Sequence, residues 1–229
     1  MSISKLCADC LRVSHLAQTG QRLGASHARE LVAAFFGYKS HAALLAESKF
    51  VLSDIEDASV MVPDVPRIQN RLGRLNGLPS NMLSAMDMAR ALSDYLVSED
   101  WFGGQVWLYE SLGNYIVEEY LRENDFYISD ELSGEMATTN AYFEDFPEYD
   151  TPSVIQNVED VQIVASGTLS GSQDLDRPYS GHEIGFSVTV TLYRVAGRTC
   201  FELPDIEVGG AVDDGFYDFD EEPEPSPAE

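Results

Sequence analysis

The sequence predicts an α+β protein: a helical N-terminal two-thirds, a small C-terminal three-stranded antiparallel sheet and a disordered acidic tail. Three observations predict it. Apolar residues recur at helical spacing from residue 3 to about residue 122. From about residue 153 the period becomes two. The last 17 residues, DDGFYDFDEEPEPSPAE, hold eight acids, three prolines and no basic residue. The expected organisation is a helix-turn-helix-like module over 1–50, a mainly helical acidic body over 51–150, an antiparallel β region over 151–212 and the tail over 213–229.

Ile3, Leu6, Cys7, Cys10 and Ala17 predict a helix over 3–19, punctuated by Gly20 and Gly24. Ser26 is the expected N-cap of a second helix carrying Leu31, Val32, Phe35 and Phe36, which Gly37 stops. Ser40 caps a third, short helix with Ala43, Leu44 and Ala46. Beyond Pro63 and Pro66, Ile68, Leu72 and Leu75 mark another short helix. Ser80 or Asn81 is expected to cap a longer one with Leu83, Met86, Leu92, Tyr95 and Leu96. Gly103–Gly104 breaks the chain before a helix over 111–122. Trp101, Trp107 and the tyrosines of 109–120 are expected to build the main core. The first strand is expected around Val158, Val161, Ile163 and Val164. In the second, Phe186, Val188, Val190 and Leu192 alternate with Ser187, Thr189 and Thr191. The third, with Phe201, Leu203, Ile206 and Val208, is interrupted by Pro204.

Charge sets the first limits on function. The 229 residues carry 14 Lys+Arg against 39 Asp+Glu, a net charge of −25. Residues 1–50 hold six basic and three acidic residues (+3), and the remainder 8 and 36 (−28). A body this acidic repels phosphate, which argues against a general nucleic-acid coat protein. There is no long apolar run for a membrane span and no signal-peptide pattern at MSISKLCADC. Three cysteines without an export signal suggest reduced thiols in the cytoplasm.

The motifs give catalysis little to stand on. Cys7 and Cys10 fall on an apolar helix face, and no two of His15, His27 and His41 have the close spacing a structural zinc site uses. His182–Glu183 lacks the second histidine of a zinc-protease helix and enters a strand. No nucleophile elbow, Walker loop or dinucleotide fingerprint occurs. The sequence therefore predicts no enzyme, no catalytic residue, no cofactor and no metal ligand. The stretch RELVAAFFGYKSHAALLA (29–46) has the grammar of two helices joined by a glycine-containing turn. A DNA-binding regulator would place Lys39, Ser40 and His41 on its recognition helix, but Leu44 and Leu45 suit base edges poorly.

The stretch SHARELVAAFFGYKSHAALLAE resembles a helical module of uncharacterised bacterial proteins on plasmids and integrative elements. A similar module fronts some glyoxalase-superfamily-related proteins. The run from Ala165 to Asp213, with DRPYSGHEIGFSVTVTLYRVAGR and PDIEVGGAVDD, also looks like such mobile-element proteins. The resemblance covers roughly the first 50 residues and a further 50. It implies no established activity, and the metal-binding glyoxalase core is not recognisable in this chain.

The functional expectation is a non-enzymatic acidic interaction protein of a mobile element, binding a basic or nucleic-acid-handling protein. Its sharper form is a DNA-mimic inhibitor. The expected contact residues are the acidic-aromatic Tyr142, Phe143, Glu144, Asp145, Phe146 and Tyr149, with Phe216, Tyr217 and Phe219 of the tail. The alternative is a DNA-binding transcriptional regulator acting through the N-terminal hairpin.

Overall fold

The computed structural model describes residues 2–143, 147–173, 176 and 181–213. The expected tail from residue 214, with Phe216, Tyr217 and Phe219, lies outside the described residues, as do Glu144, Asp145 and Phe146. The chain divides into two compact units. One comprises 1–112, 155–162 and 191–205; the other comprises 113–154, 163–190 and the chain from Ile206 onward.

The first unit is built on packed helices. In α1 (Ile3–Thr19), Ile3, Cys7 and Leu11 face inward, and Gly20 closes the helix in the left-handed conformation (φ 71°). In α2 (Ala25–Phe35), Ala28, Ala33 and Ala34 are fully buried; such small side chains let neighbouring helices approach closely. Gly24, not Ser26, occupies its N-cap position. Gly37 turns the chain at φ 80°, and a Cβ there would sit 2.8 Å from the Cβ of Arg198. Ser40 caps α3 (His41–Leu45), its hydroxyl accepting the Ala43 N–H at 3.2 Å. A 3₁₀ turn (Leu52–Asp57) leads to strand β1 (Val60–Met61). Asp64 caps α4 (Val65–Arg74), with Pro66 in the first turn, where its missing N–H is harmless. Ser84, not Ser80 or Asn81, caps α5 (Ala85–Ser98) and exchanges bonds with Asp87. Strand β2 (Gln105–Val106) follows. Helix α1 packs on α2 and α5, and α4 packs on α2 and α5.

The core of this unit differs from the expectation. It is centred on Leu11, Leu31, Phe35, Phe36, Leu92, Leu96 and Phe102. Trp107 is buried, but Trp101, Tyr109, Tyr115 and Tyr120 are only half-buried. A tyrosine hydroxyl must be hydrated or hydrogen-bonded wherever the ring is placed, whereas the phenylalanines at the end of α2 have nothing polar to satisfy.

In the second unit, helical segments run from Leu112 to Thr138: α6 (Leu112–Tyr115), a π-type turn (Ile116–Tyr120), α7 (Leu121–Glu123), α8 (Phe126–Glu131) and α9 (Ser133–Thr138). The Leu121 N–H bonds to the Ile116 carbonyl five residues back, so the wide turn brings both buried side chains to one face. Ile128 and Leu132, four apart, bury the inner face of the later helices.

The expected small three-stranded sheet is overturned. The strands are β3 (Ala141–Tyr142), β4 (Glu148–Tyr149), β5 (Ser153–Gln156), β6 (Asp160–Ser170), β7 (Ser172–Gln173), β8 (Glu183–Ala196), β9 (Cys200–Phe201) and β10 (Asp205–Val212). Eight of the ten strands among the described residues form one mixed sheet in the order β2-β1-β9-β8-β6-β4, with β10 also on β8 and β5 also on β6; β3 and β7 pair separately. Long β6 and β8 match the expected first and second strands, and Phe186, Val188, Val190 and Leu192 are buried as their alternation requires. The expected third strand is two strands. Leu203, 66% exposed, and Pro204, which has no N–H to donate, separate β9 from β10. The additional strands are mostly two residues long, too short to show a period. β1 pairs parallel with β2 and antiparallel with β9, so strand structure also enters the expected helical two-thirds.

Gly37→Ala is expected to cost about 3 kcal/mol, combining left-handed strain with the Arg198 clash. Gly20→Ala, whose Cβ would meet open space, should cost about 1 kcal/mol. Urea unfolding of both variants checks the difference.

Candidate functional site

The charge divides between the units more sharply than along the chain. Among the described residues, the first unit holds 12 basic and 16 acidic residues, a net −4. The second holds 13 acidic residues and one basic residue, Arg122, a net −12. The acidity therefore gathers on the second unit, and its helical segments carry seven of those carboxylates.

Within these segments, α8 presents an aromatic pair. The Asn124 side chain donates to the Tyr120 carbonyl at 2.7 Å, and the Asn124 carbonyl accepts the Tyr127 N–H at 3.1 Å, which sets the start of the helix. With Ile128 turned inward, Phe126 and Tyr127 turn outward, 56% and 44% exposed. Their ring centroids lie 4.0 Å apart. Asp125 precedes them, and Asp130 and Glu131 follow in the same helix. The two rings are tilted by 34° to each other, and an aromatic pair left in water among carboxylates forgoes burial that a Phe and a Tyr ordinarily gain. Close by, burial pushes up the hydroxyl pKa of Tyr115, with the negative charges of Glu123 and Glu119 adding to the shift.

A cleft of about 830 Å³ lies in the same unit, lined in part by Asn114, Glu118, Arg122, Glu148 and Asp150. Tyr149 forms part of its wall. Its ring meets Phe186 edge-on at 5.6 Å, and Gly167 gives the Phe186 ring room. The Tyr149 hydroxyl oxygen is buried without a hydrogen-bond partner among the described residues. Burial, with the Asp125 charge second, pushes its pKa up to about 12.

The structure separates the residues expected from sequence. Tyr142 is 57% exposed on β3, which pairs with β7. Phe143 is half-buried against Gly171, and Tyr149 is held on β4. Of the described aromatics in 142–149, Tyr142 is exposed, whereas Phe143 and Tyr149 are half-buried. Phe126 and Tyr127 were missed, although Asp125-Phe-Tyr-Ile-Ser-Asp-Glu131 carries a usable signal. Once Ile128 and Leu132 define the inward face, the two aromatics must point outward.

The alternative DNA-binding residues sit in a less promising frame. Lys39 is exposed, but the Ser40 hydroxyl is used as a helix cap. The His41 N–H donates to a carboxylate oxygen of Glu30, which also pairs with Arg71. That puts a negative charge at the N-terminus of α3, where a DNA-binding helix would receive phosphate. The five residues of α3 span about 7 Å, short for a groove about 12 Å wide.

Among the described residues, no group of three or more His, Cys, Asp or Glu is arranged to hold a metal ion. Burial pushes the thiols of Cys7 and Cys200 up to about 12, with Cys10 contributing at Cys7. Both stay protonated near neutrality, unlike a thiolate nucleophile. No described helix is long and apolar enough to cross a membrane. The chain matches no family model, curated protein or solved structure in the comparisons made.

Tyr149→Phe is expected to leave stability near neutral pH unchanged or slightly higher, because the lost hydroxyl has no described partner. The folded-state pKa is raised, so proton binding favours the fold below about pH 10, and that contribution is lost as pH rises from about 10 to 12. Urea midpoints from pH 8 to 12 should therefore fall less steeply in the variant.

Proposed function

We propose that this protein is a non-enzymatic docking protein for a basic, nucleic-acid-handling protein of a mobile genetic element, engaged in the cytoplasm through the acidic surface of the second unit. The observation that carries the reading is the exposed, closely spaced Phe126–Tyr127 ring pair in a helical stretch of seven carboxylates and one guanidinium. Carboxylates speed association with a cationic surface and exclude acidic partners. They supply little net affinity once exposed to salt. The aromatic pair provides the apolar anchor, and arginine is its natural counterpart, because a guanidinium stacks on aromatic faces while pairing with carboxylates. Tyr142 offers a further exposed ring. A DNA-mimic inhibitor is the narrower form of this proposal, in which the carboxylates occupy a partner's phosphate sites. The mobile-element setting rests on the resemblance of residues 1–50 and 165–213 alone.

The test is titration of the full chain with a capped arginine-rich dodecapeptide. Binding is expected at low salt, with affinity falling steeply toward about 0.3 M salt. The double variant Phe126→Ala/Tyr127→Ala should weaken it by about ten-fold or more, corresponding to about 1.4 kcal/mol. Equal affinity for the variant, or no binding at low salt, rejects the proposal.

A further inference from the structure

We infer that a second docking site lies in the first unit: a cleft of mixed apolar and acidic lining that takes a lysine–leucine type segment of a partner protein. This inference does not rest on the reading of the second unit. The cleft is about 500 Å³ and has Leu44, Phe50, Leu52 and Trp101 among its walls. Leu45, 64% exposed, also lines it, an aliphatic side chain left in water beside an apolar wall. Its carboxylates are Glu47, Glu56, Glu99 and Asp100, and no lysine or arginine among the described residues lines it.

Charge complementarity selects the occupant. Glu56, Glu99 and Asp100 form no ion pair with a cation among the described residues. Glu47 is held in place: its carboxylate accepts the N–H groups of Ser48, Lys49 and Phe50 and the Tyr38 hydroxyl. Lys49 has its ammonium 5.3 Å from the Phe50 ring centroid but is engaged by Glu159 and does not line the cleft. Aliphatic and aromatic walls beside carboxylates that meet no cation among the described residues fit a segment in which aliphatic side chains enter and flanking ammonium groups reach the carboxylates.

The end of α5 supports this reading from local energetics. The Trp101 N–H bonds to the Leu96 carbonyl at 2.9 Å and the Asp100 N–H to the Val97 carbonyl at 3.1 Å. This helix ending usually places glycine in the left-handed position, yet Asp100 occupies it at φ 57°. Glu99 and Asp100 also set two negative charges at a helix C-terminus, where the backbone dipole disfavours them. Local stability would favour glycine and a cation here, and the sequence supplies two acids that face the cleft. Such departures from local preference gather at functional sites.

The test is calorimetric titration of the full chain with a capped hexapeptide of four lysines and two leucines, against an all-lysine hexapeptide. Expected is binding at low salt, with the leucine-containing peptide about ten-fold tighter. Asp100→Gly and Glu99→Gln should each weaken it about three- to ten-fold. Asp100→Gly should also raise the melting midpoint by about 2–4 °C, because it relieves left-handed strain, so lost affinity cannot be ascribed to misfolding. The Phe126→Ala/Tyr127→Ala variant should bind the hexapeptide as the parent does, which separates this site from the second unit's surface. Equal affinity for the two peptides, unchanged affinity in Asp100→Gly and Glu99→Gln, or loss of binding in the aromatic double variant overturns the inference.

Discussion

An unpaired carboxylate is costly to remove from water, and this chain has 39 acids for 14 lysines and arginines. That constraint orders the rest of the structure. The first unit approaches charge balance, packs phenylalanines and alanines from α2 into its centre and ties Glu30 to Arg71 and Lys49 to Glu159. The second unit has Arg122 alone against 13 acids among its described residues, so most of its acids stay on the surface. Its apolar residues serve a narrow inner face: Ile116, Leu121, Ile128 and Leu132 from the helices, with Phe186 and Val188 from β8. The aromatics beyond that face are left partly or largely in water.

What the sequence made legible was local. Helix α1 matches its expected bounds because its apolar spacing and Gly20 act within a few turns. Ser40 is legible as a cap because its partner is three residues away. The central strand of the expected sheet, now β8, shows in strict alternation. The cap of α5 was misplaced because Ser80, Asn81 and Ser84 are all competent, and only Ser84 has Asp87 in position to complete the exchange. Strands β1 and β2 were not legible, and β9 showed only as the start of the expected third strand. Two residues carry no period, and the pairings of Val60 with Gln105 and Phe201 join distant parts of the chain. The proposed contact surface differs from the expected one in address, though both combine acids with aromatics. In 141–149 strand pairing and packing absorb Phe143 and Tyr149, whereas the helical phase of α8 turns Phe126 and Tyr127 outward.

Two surfaces share one logic at different scales. On α8 the sequence leaves a closely spaced aromatic pair exposed beside acids. At the end of α5 it places acids where the helix dipole and the backbone conformation both prefer something else. Each feature sacrifices local stability, and each presents apolar surface together with negative charge. A purely solubilising acidity requires neither, because scattered carboxylates without aromatic or aliphatic neighbours serve that purpose. The N-terminal hairpin follows the opposite pattern. Its glycine turn, serine cap and Glu30–Arg71 pair all consolidate packing, and Lys39 is the only exposed cation at the start of α3.

The most direct measurement is amide chemical-shift mapping of the full chain during addition of an arginine-rich peptide, repeated with short duplex DNA. The account predicts peptide-induced shifts concentrated between Glu118 and Glu131, lost at about 0.3 M salt, and none with DNA. Shifts gathered at Lys39, Ser40 and His41 on adding DNA, with the α8 surface silent toward the peptide, would contradict it.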